Sequence, residues 1–250
     1  MSELVQLSIQ PSGAAEITIN RPERHNAMTQ AMYESLLERI ADCARNPQVR
    51  AILFRGAGGK SFISGTDIAH FADFQRGEQG IAYEAFVENV IDRVERIAVP
   101  TIAVIDGWAV GGGLALATAC DFRVCTEGAR FGAPIAKTLS NTLSSRNIAR
   151  LQAALGVPRV KRMLLLAEYI DAAEALACGF VYEACAADQL SARAHALAER
   201  LMPLSGVTQA AVKESIRRIV IEQSLEDDDL VHAVYGSDAF RQGVAGFLKR

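Results

Sequence analysis

Near Ser144 the chain changes character, and that change restricts its fold more than any other feature. Before it, short apolar runs alternate with amphipathic stretches; after it, almost every stretch reads as helix. Residues 4–9 and 16–20 have strand patterns joined by a turn at Pro11-Ser12-Gly13. Met32, Leu36, Ile40 and Cys43 recur at helical spacing after Thr29, and Asn46-Pro47 stops that helix. Residues 49–55 form a buried-strand pattern. Residues 81–97 form a helix with Val87, Val90, Ile91, Val94 and Ile97 on its inner face, and Pro100 opens a strand over 101–105. A small-residue helix over 114–119 and a strand over 122–126 follow. Beyond them, helices are expected over 144–155, 158–167, 171–178, 190–202, 207–222, 224–235 and 237–248, broken by one short strand at 180–182. Strand–helix alternation argues for an α/β core. The expected division is a core over residues 1–188 and a C-terminal helical subdomain over 189–250.

Bulk properties remove several functions. The chain has 250 residues, half of them hydrophobic, which is enough to bury a sizeable core. A net charge of −3 supplies no field for a nucleic acid, so any anionic ligand must be met locally. Residues 1–9 alternate like a strand instead of carrying the basic start and apolar run of a signal peptide. No stretch approaches the ~18 apolar residues of a membrane span. The five cysteines (43, 120, 125, 178 and 185) are scattered in apolar company, the pattern of reduced, buried thiols. A cytoplasmic protein with no nucleic-acid or membrane partner is expected.

Two segments look chemical. Lys60-Ser61-Phe62-Ile63-Ser64-Gly65-Thr66-Asp67 follows a strand and leads into a helix expected from Asp67. Gly107-Trp108-Ala109-Val110-Gly111-Gly112-Gly113 also joins a strand to a helix. Each leaves backbone N–H groups unpaired at a helix start, where negative charge is favoured. Consecutive glycines let a ligand or another backbone come close, although tight helix packing alone would also use them. The spacing is not G-x-G-x-x-G, and no Lys-Ser/Thr follows the glycines, so neither nucleotide loop fits. Ser64 lacks the first glycine of a nucleophile elbow. His25, His70, His195 and His232 have no metal-ligand spacing, and His70 lies one turn past Asp67, within reach of the site.

Taken in order, these segments resemble the crotonase (enoyl-CoA hydratase/isomerase) superfamily over nearly the whole chain. The matching stretches are Ile17-Thr18-Ile19-Asn20-Arg21-Pro22-Glu23-Arg24-His25-Asn26-Ala27-Met28, then Ser61 to Ile68, then Pro100 to Gly113 with Cys120-Asp121-Phe122-Arg123, then Asp171 to Val181. The resemblance implies a spiral of ββα units with a C-terminal helical region, assembled as a homotrimer or a dimer of trimers. It implies an acyl-CoA substrate, with coenzyme A entering as part of that substrate and no tightly bound cofactor or metal.

Residue by residue, it implies that the N–H groups of Thr66 and Gly112 form an oxyanion hole for the thioester carbonyl. Arg24, His25 and Ala27 would lie along the CoA chain, the Ser64 carbonyl would meet adenine, and Lys60 would meet phosphate. Phe247 and Arg250 match positions that reach a neighbouring subunit's CoA in some members.

The chain departs from that family at two positions. Where hydratases carry a glutamate two residues past the last glycine, this sequence has Ala115; where a second glutamate follows the proline of F-G-x-P-E, it has Ile135. Neither side chain can activate water or move a proton. The stretch from Lys137 to Asn147 stands where the family has a glycine-rich loop, and its Ser140 and Asn141 could hold a carboxylate or a water. Serine and asparagine there also suit a helix N-cap and a solvated turn.

The expected function is an acyl-CoA enzyme that stabilises an enolate without the glutamate pair. Decarboxylation of a malonyl-type thioester is the attractive case, because it needs no base to remove a carbon-bound proton. C–C cleavage, thioester hydrolysis and an unusual hydration are further candidates. The alternatives are a genuine hydratase whose acid and base have moved to Asp73, Glu78 or Glu84, and a catalytically silent acyl-CoA-binding homologue.

Overall fold

The computed structural model describes residues 3–249. The chain opens with the antiparallel pair β1 (Val5–Ile9) and β2 (Ala14–Ile19). Helix α1 (Gln30–Arg45) starts where Thr29 Oγ1 accepts the Met32 N–H, and it buries Met32, Leu36, Ile40 and Cys43 as the spacing predicts. Three strand–strand–helix passages follow. They are β3 (Ala51–Gly56), β4 (Ser61–Ile63) and α2 (Gly77–Glu95); then β5 (Thr101–Ile105), β6 (Trp108–Val110) and α3 (Gly112–Ala119); then β7 (Phe122–Thr126), β8 (Arg130–Gly132), α4 (Ser145–Leu155) and α5 (Val157–Leu165). The chain continues through β9 (Ile170–Asp171), α6 (Ala172–Ala177), β10 (Glu183–Cys185), α7 (Leu190–Leu201), α8 (Gly206–Arg217), α9 (Asp228–Tyr235) and α10 (Asp238–Phe247).

Each passage gives one strand to each of two sheets, and this is what makes the fold a spiral. The long sheet runs β1-β2-β3-β5-β7-β10, parallel apart from the β1–β2 pair. The short sheet runs β4-β6-β8-β9, and its last pair is antiparallel. The central strands β3 and β5 are buried on both faces, as parallel strands usually are. Along β3 and β5, Ile52, Phe54, Ala103 and Ile105 enter the main core, while Ala51, Leu53, Ile102 and Val104 face the other way. That second face is covered by Leu190, Ala194, Leu197 and Ala198, so α7 lies against the long sheet.

Three local expectations need correction. Two strands of the short sheet fall within the segments expected only to join a strand to a helix: Ser61–Ile63 and Trp108–Val110. Two or three residues are too few to show alternation. The strand expected at 180–182 forms instead at Glu183–Cys185, where Glu183 pairs with Val124. Phe180 is used in packing: its ring meets Phe131 edge to face at 5.4 Å and lies 4.7 Å below the Arg123 guanidinium. The helix expected from Asp67 is only a 3₁₀ turn, Ile68–Phe71, capped by Asp67 Oδ1 through the Ala69 N–H.

The tail is tied to the core by charge. Lys213 of α8 reaches Asp121 at 2.6 Å, and the same carboxylate oxygen accepts from the Thr101 N–H at 2.7 Å and the Thr101 hydroxyl at 3.0 Å. Among the described residues, no helix is long and apolar enough to cross a membrane.

Candidate active site

Two strand-to-helix turns meet above the short sheet. The first, after β4, carries Ser64, Gly65 and Thr66; the second, after β6, carries Gly111 and Gly112 at the start of α3. Gly65 (φ 108°) and Gly111 (φ 55°) adopt backbone conformations that favour glycine. A Cβ on Gly65 would lie 3.4 Å from the Val110 carbonyl and 3.8 Å from the Gly112 nitrogen, so the two backbones pass in contact. The N–H groups of Thr66 and Gly112 have no partner among the described hydrogen bonds. On either side of Thr66 the chain is pinned: the Met28 N–H donates to the Gly65 carbonyl and the Asp67 N–H donates to the Met28 carbonyl. Two fixed, unpaired donors beside a cavity can hold an oxygen that gains negative charge.

The side chain of Thr66 is held too. Its Oγ1 lies 2.9 Å from the Tyr33 hydroxyl and 2.7 Å from the Tyr83 hydroxyl. Burial raises both phenols, Tyr83 to about 12, so both stay neutral at ordinary pH. Asp67 sits at the edge, where the Arg21 guanidinium at 2.6 Å holds its carboxyl below the usual range.

Two cavities share this rim. The inner one, about 240 Å³, is lined by Thr66, Gly112, Ala115, Ile135, Asn141 and Glu84, among others. The outer one is lined by Arg24, His25, Ala27, Ser64 and Thr66, again with others. Ser64, Thr66, Ile68, Val110 and Tyr169 line both, so the cavities adjoin at Thr66, with Gly112 on the inner wall.

The candidates named from sequence are thus gathered unevenly. Thr66, Gly112 and Asn141 share the inner wall, and Arg24, His25, Ala27 and Ser64 share the outer one. Ser140 is exposed at φ 54° and lies off the inner wall, its N–H donating to the Ile135 carbonyl. Lys60 is exposed and off the outer wall. Phe247 stands 77% exposed on α10, beside a separate groove of the tail. Arg250 lies outside the described residues. His70 packs among Phe71, Phe74 and Tyr83 and lines neither cavity. Of the proposed replacement acids, Glu84 alone faces the inner cavity; Asp73 and Glu78 do not line it.

Several residues of the site are given no role by the sequence. Trp108 and Tyr169 meet edge to face at 5.0 Å on the outer rim. Tyr33 and Tyr83 come from two different helices. Asn26 is fully buried, at φ 58°; its Oδ1 accepts the Arg21 N–H and its Nδ2 donates to the carbonyls of Ala57 and Ser61. It ties the Arg24–Ala27 turn to the start of β4. An asparagine flanked by turn residues was the available signal, since asparagine tolerates this conformation better than most.

The family model described as enoyl-CoA hydratase/isomerase matches residues 10–250. The chain is 29% identical over 239 residues to a short-chain-enoyl-CoA hydratase of Clostridium acetobutylicum, spanning 95% of this chain and 89% of that one. It is 28% identical over 250 residues to an ethylmalonyl-CoA decarboxylase of Mus musculus, spanning 96% of this chain and 76% of that one. Among solved structures, an enoyl-CoA hydratase/carnithine racemase from Magnetospirillum magneticum superposes with a TM-score of 0.88 at 28% identity, covering 100% of this chain and 94% of that one.

Proposed function

Because the chain belongs to the enoyl-CoA hydratase/isomerase family, we propose that its two joined cavities receive an acyl-CoA thioester and stabilise the enolate formed from it. The single observation that carries this reading is the pair of unpartnered N–H groups, Thr66 and Gly112, that line the inner cavity where it adjoins the outer one at Thr66. Coenzyme A would follow the outer cavity past Arg24, His25, Ala27 and Ser64. The acyl group would enter the inner cavity, with the thioester oxygen at the two donors. Fixed donors of this kind stabilise the developing charge, and losing one costs roughly 3 kcal/mol of the barrier lowering.

The reaction we propose is decarboxylation of a malonyl-type thioester. Ala115 and Ile135 put a methyl group and a branched hydrocarbon on the wall where hydratases carry the glutamates that handle water. Loss of CO₂ leaves the electron pair of the broken C–C bond in the enolate, which asks of the site only that it hold the enolate oxygen and orient the carboxylate. Asn141, neutral and polar on the same wall, suits the second task. The similarity to an ethylmalonyl-CoA decarboxylase supports the choice.

Purified protein offered methylmalonyl-CoA and crotonyl-CoA in parallel, with products followed by mass spectrometry, tests the proposal. Decarboxylation with little hydration is expected. Hydration of crotonyl-CoA with a kcat above ~1 s⁻¹ and untouched methylmalonyl-CoA would refute it.

A further inference from the structure

Decarboxylation ends with an enolate that must be protonated at carbon, and the usual positions for a proton carrier hold Ala115 and Ile135. Among the residues lining the inner cavity, Glu84 is the only carboxylate. It stands on α2 directly after Tyr83, whose hydroxyl is 2.7 Å from Thr66 Oγ1, so this turn of the helix is fastened to the residue that bears one donor. From the other side, the Ser144 N–H at the start of α4 donates to Glu84 Oε2 at 2.7 Å. The remaining oxygen, Oε1, makes no hydrogen bond among the described residues.

Glu84 is also denied a counter-ion. One turn further along α2, Glu88 takes the hydroxyl of Ser144 at 3.2 Å and the guanidinium of Arg150 at 2.9 Å. Arg150, almost fully buried, divides its remaining contacts between Glu95 and Asn147. The cation of this cluster therefore serves Glu88 and Glu95. Burial first, then the charge of Glu88, moves the Glu84 carboxyl above the usual range, against the opposing pull of the Ser144 N–H.

We infer that Glu84 is the proton-transfer group of the inner cavity, giving its proton to the α-carbon of the bound enolate and taking one from the same carbon in reverse. The inference rests on the enolate site proposed at Thr66 and Gly112. In the forward direction the enolate electron pair forms the new C–H bond, the O–H pair remains on Glu84, and the carboxylate regains a proton from water. In reverse, the Glu84 carboxylate removes an α-proton from a saturated thioester and exchanges it with solvent.

The test is α-hydrogen exchange of butyryl-CoA in D₂O, read by mass spectrometry with the full chain. It requires no decarboxylation. Wild type should incorporate deuterium, and Glu84→Gln should slow incorporation about 100-fold or more. The glutamine keeps an oxygen acceptor for the Ser144 N–H, and a melting curve matching wild type confirms that α4 is intact. Glu84→Asp, which keeps an ionisable group, should restore part of the rate. No exchange by wild type, or exchange by Glu84→Gln at the wild-type rate, would overturn the inference. Glu84-dependent exchange in a protein that leaves methylmalonyl-CoA intact would remove the decarboxylase reading alone. Decarboxylation by Glu84→Gln with wild-type rate and deuterium content would remove Glu84 alone.

Discussion

Gly112 occupies the first turn of α3, a position whose N–H has no partner within the helix and where proline is tolerated. A Cβ there would meet the Tyr33 hydroxyl at 2.7 Å, so any substitution crowds that contact. Gly112→Ala and Gly112→Pro share the crowding at Cβ, and proline replaces the N–H with its ring Cδ. If the proposed donor acts as described, Gly112→Pro should have a kcat about 100-fold or more below that of Gly112→Ala; equal rates for the two would dismiss the donor. The sign of the pH effect at Glu84 can also be worked out. Glu88 and Tyr83 on its own helix, Tyr33 on α1 and the Ser144 N–H are its neighbours, and burial makes its neutral form persist above the usual carboxylate range. A proton donor is competent when protonated, so decarboxylation should hold at low pH and decline as pH rises through the elevated Glu84 pKa. In Glu84→Gln that limb should be missing from the rate profile.

At the scale of elements, what could be read from sequence follows segment length. Helix α1 was legible from buried residues at helical spacing, and strands β5 and β7 from five-residue, mostly apolar runs. The short sheet was not, because Ser61–Ile63 is buried throughout and Trp108–Val110 has only three residues. Thr66, Gly112, Ala115 and Ile135 could be located because glycine turns and a family resemblance mark them. Tyr33, Tyr83 and Tyr169 reach the site through packing between distant segments, which local pattern does not carry. Asn26 is a testable case. Asn26→Ala would remove one acceptor and one donor that satisfy three backbone groups, two of them from the segment leading into β4. A loss of about 2–4 kcal/mol in denaturant unfolding is expected, with weakened CoA-ester binding because the Arg24–Ala27 turn loses its anchor. A loss under ~0.5 kcal/mol would show that the turn holds itself.

Across the whole molecule, charge joins the tail to the core: Lys213 meets Asp121 at 2.6 Å, Arg96 lies 3.8 Å from Glu214, and Arg217 lies 3.9 Å from Asp92. Arg217, 2% exposed, pairs with Glu214 at 2.7 Å and Glu222 at 2.7 Å, and Glu214 also receives Arg218 at 2.9 Å. Chiefly through the Arg217 hydrogen bond, the Glu214 carboxyl is lowered from 4.5 to about 2. A lowered carboxyl stabilises the fold above its ordinary pKa, and that contribution is lost as pH falls from about 4.5 toward 2. Glu214→Gln should therefore reduce stability near neutral pH by about 2 kcal/mol and flatten the acid decline of the melting temperature; an unchanged melting profile would count against a role for this network.

The spiral has a further consequence: successive passages bring two backbone turns, 46 residues apart by the numbers of Thr66 and Gly112, to one cavity rim. Whether both hold one thioester oxygen is measured most directly by the infrared carbonyl band of butyryl-CoA labelled with ¹³C at the thioester carbon. On binding, the band should move to lower wavenumber in wild type and Gly112→Ala, and much less in Gly112→Pro. A bound carbonyl that absorbs where the free thioester does would contradict the account.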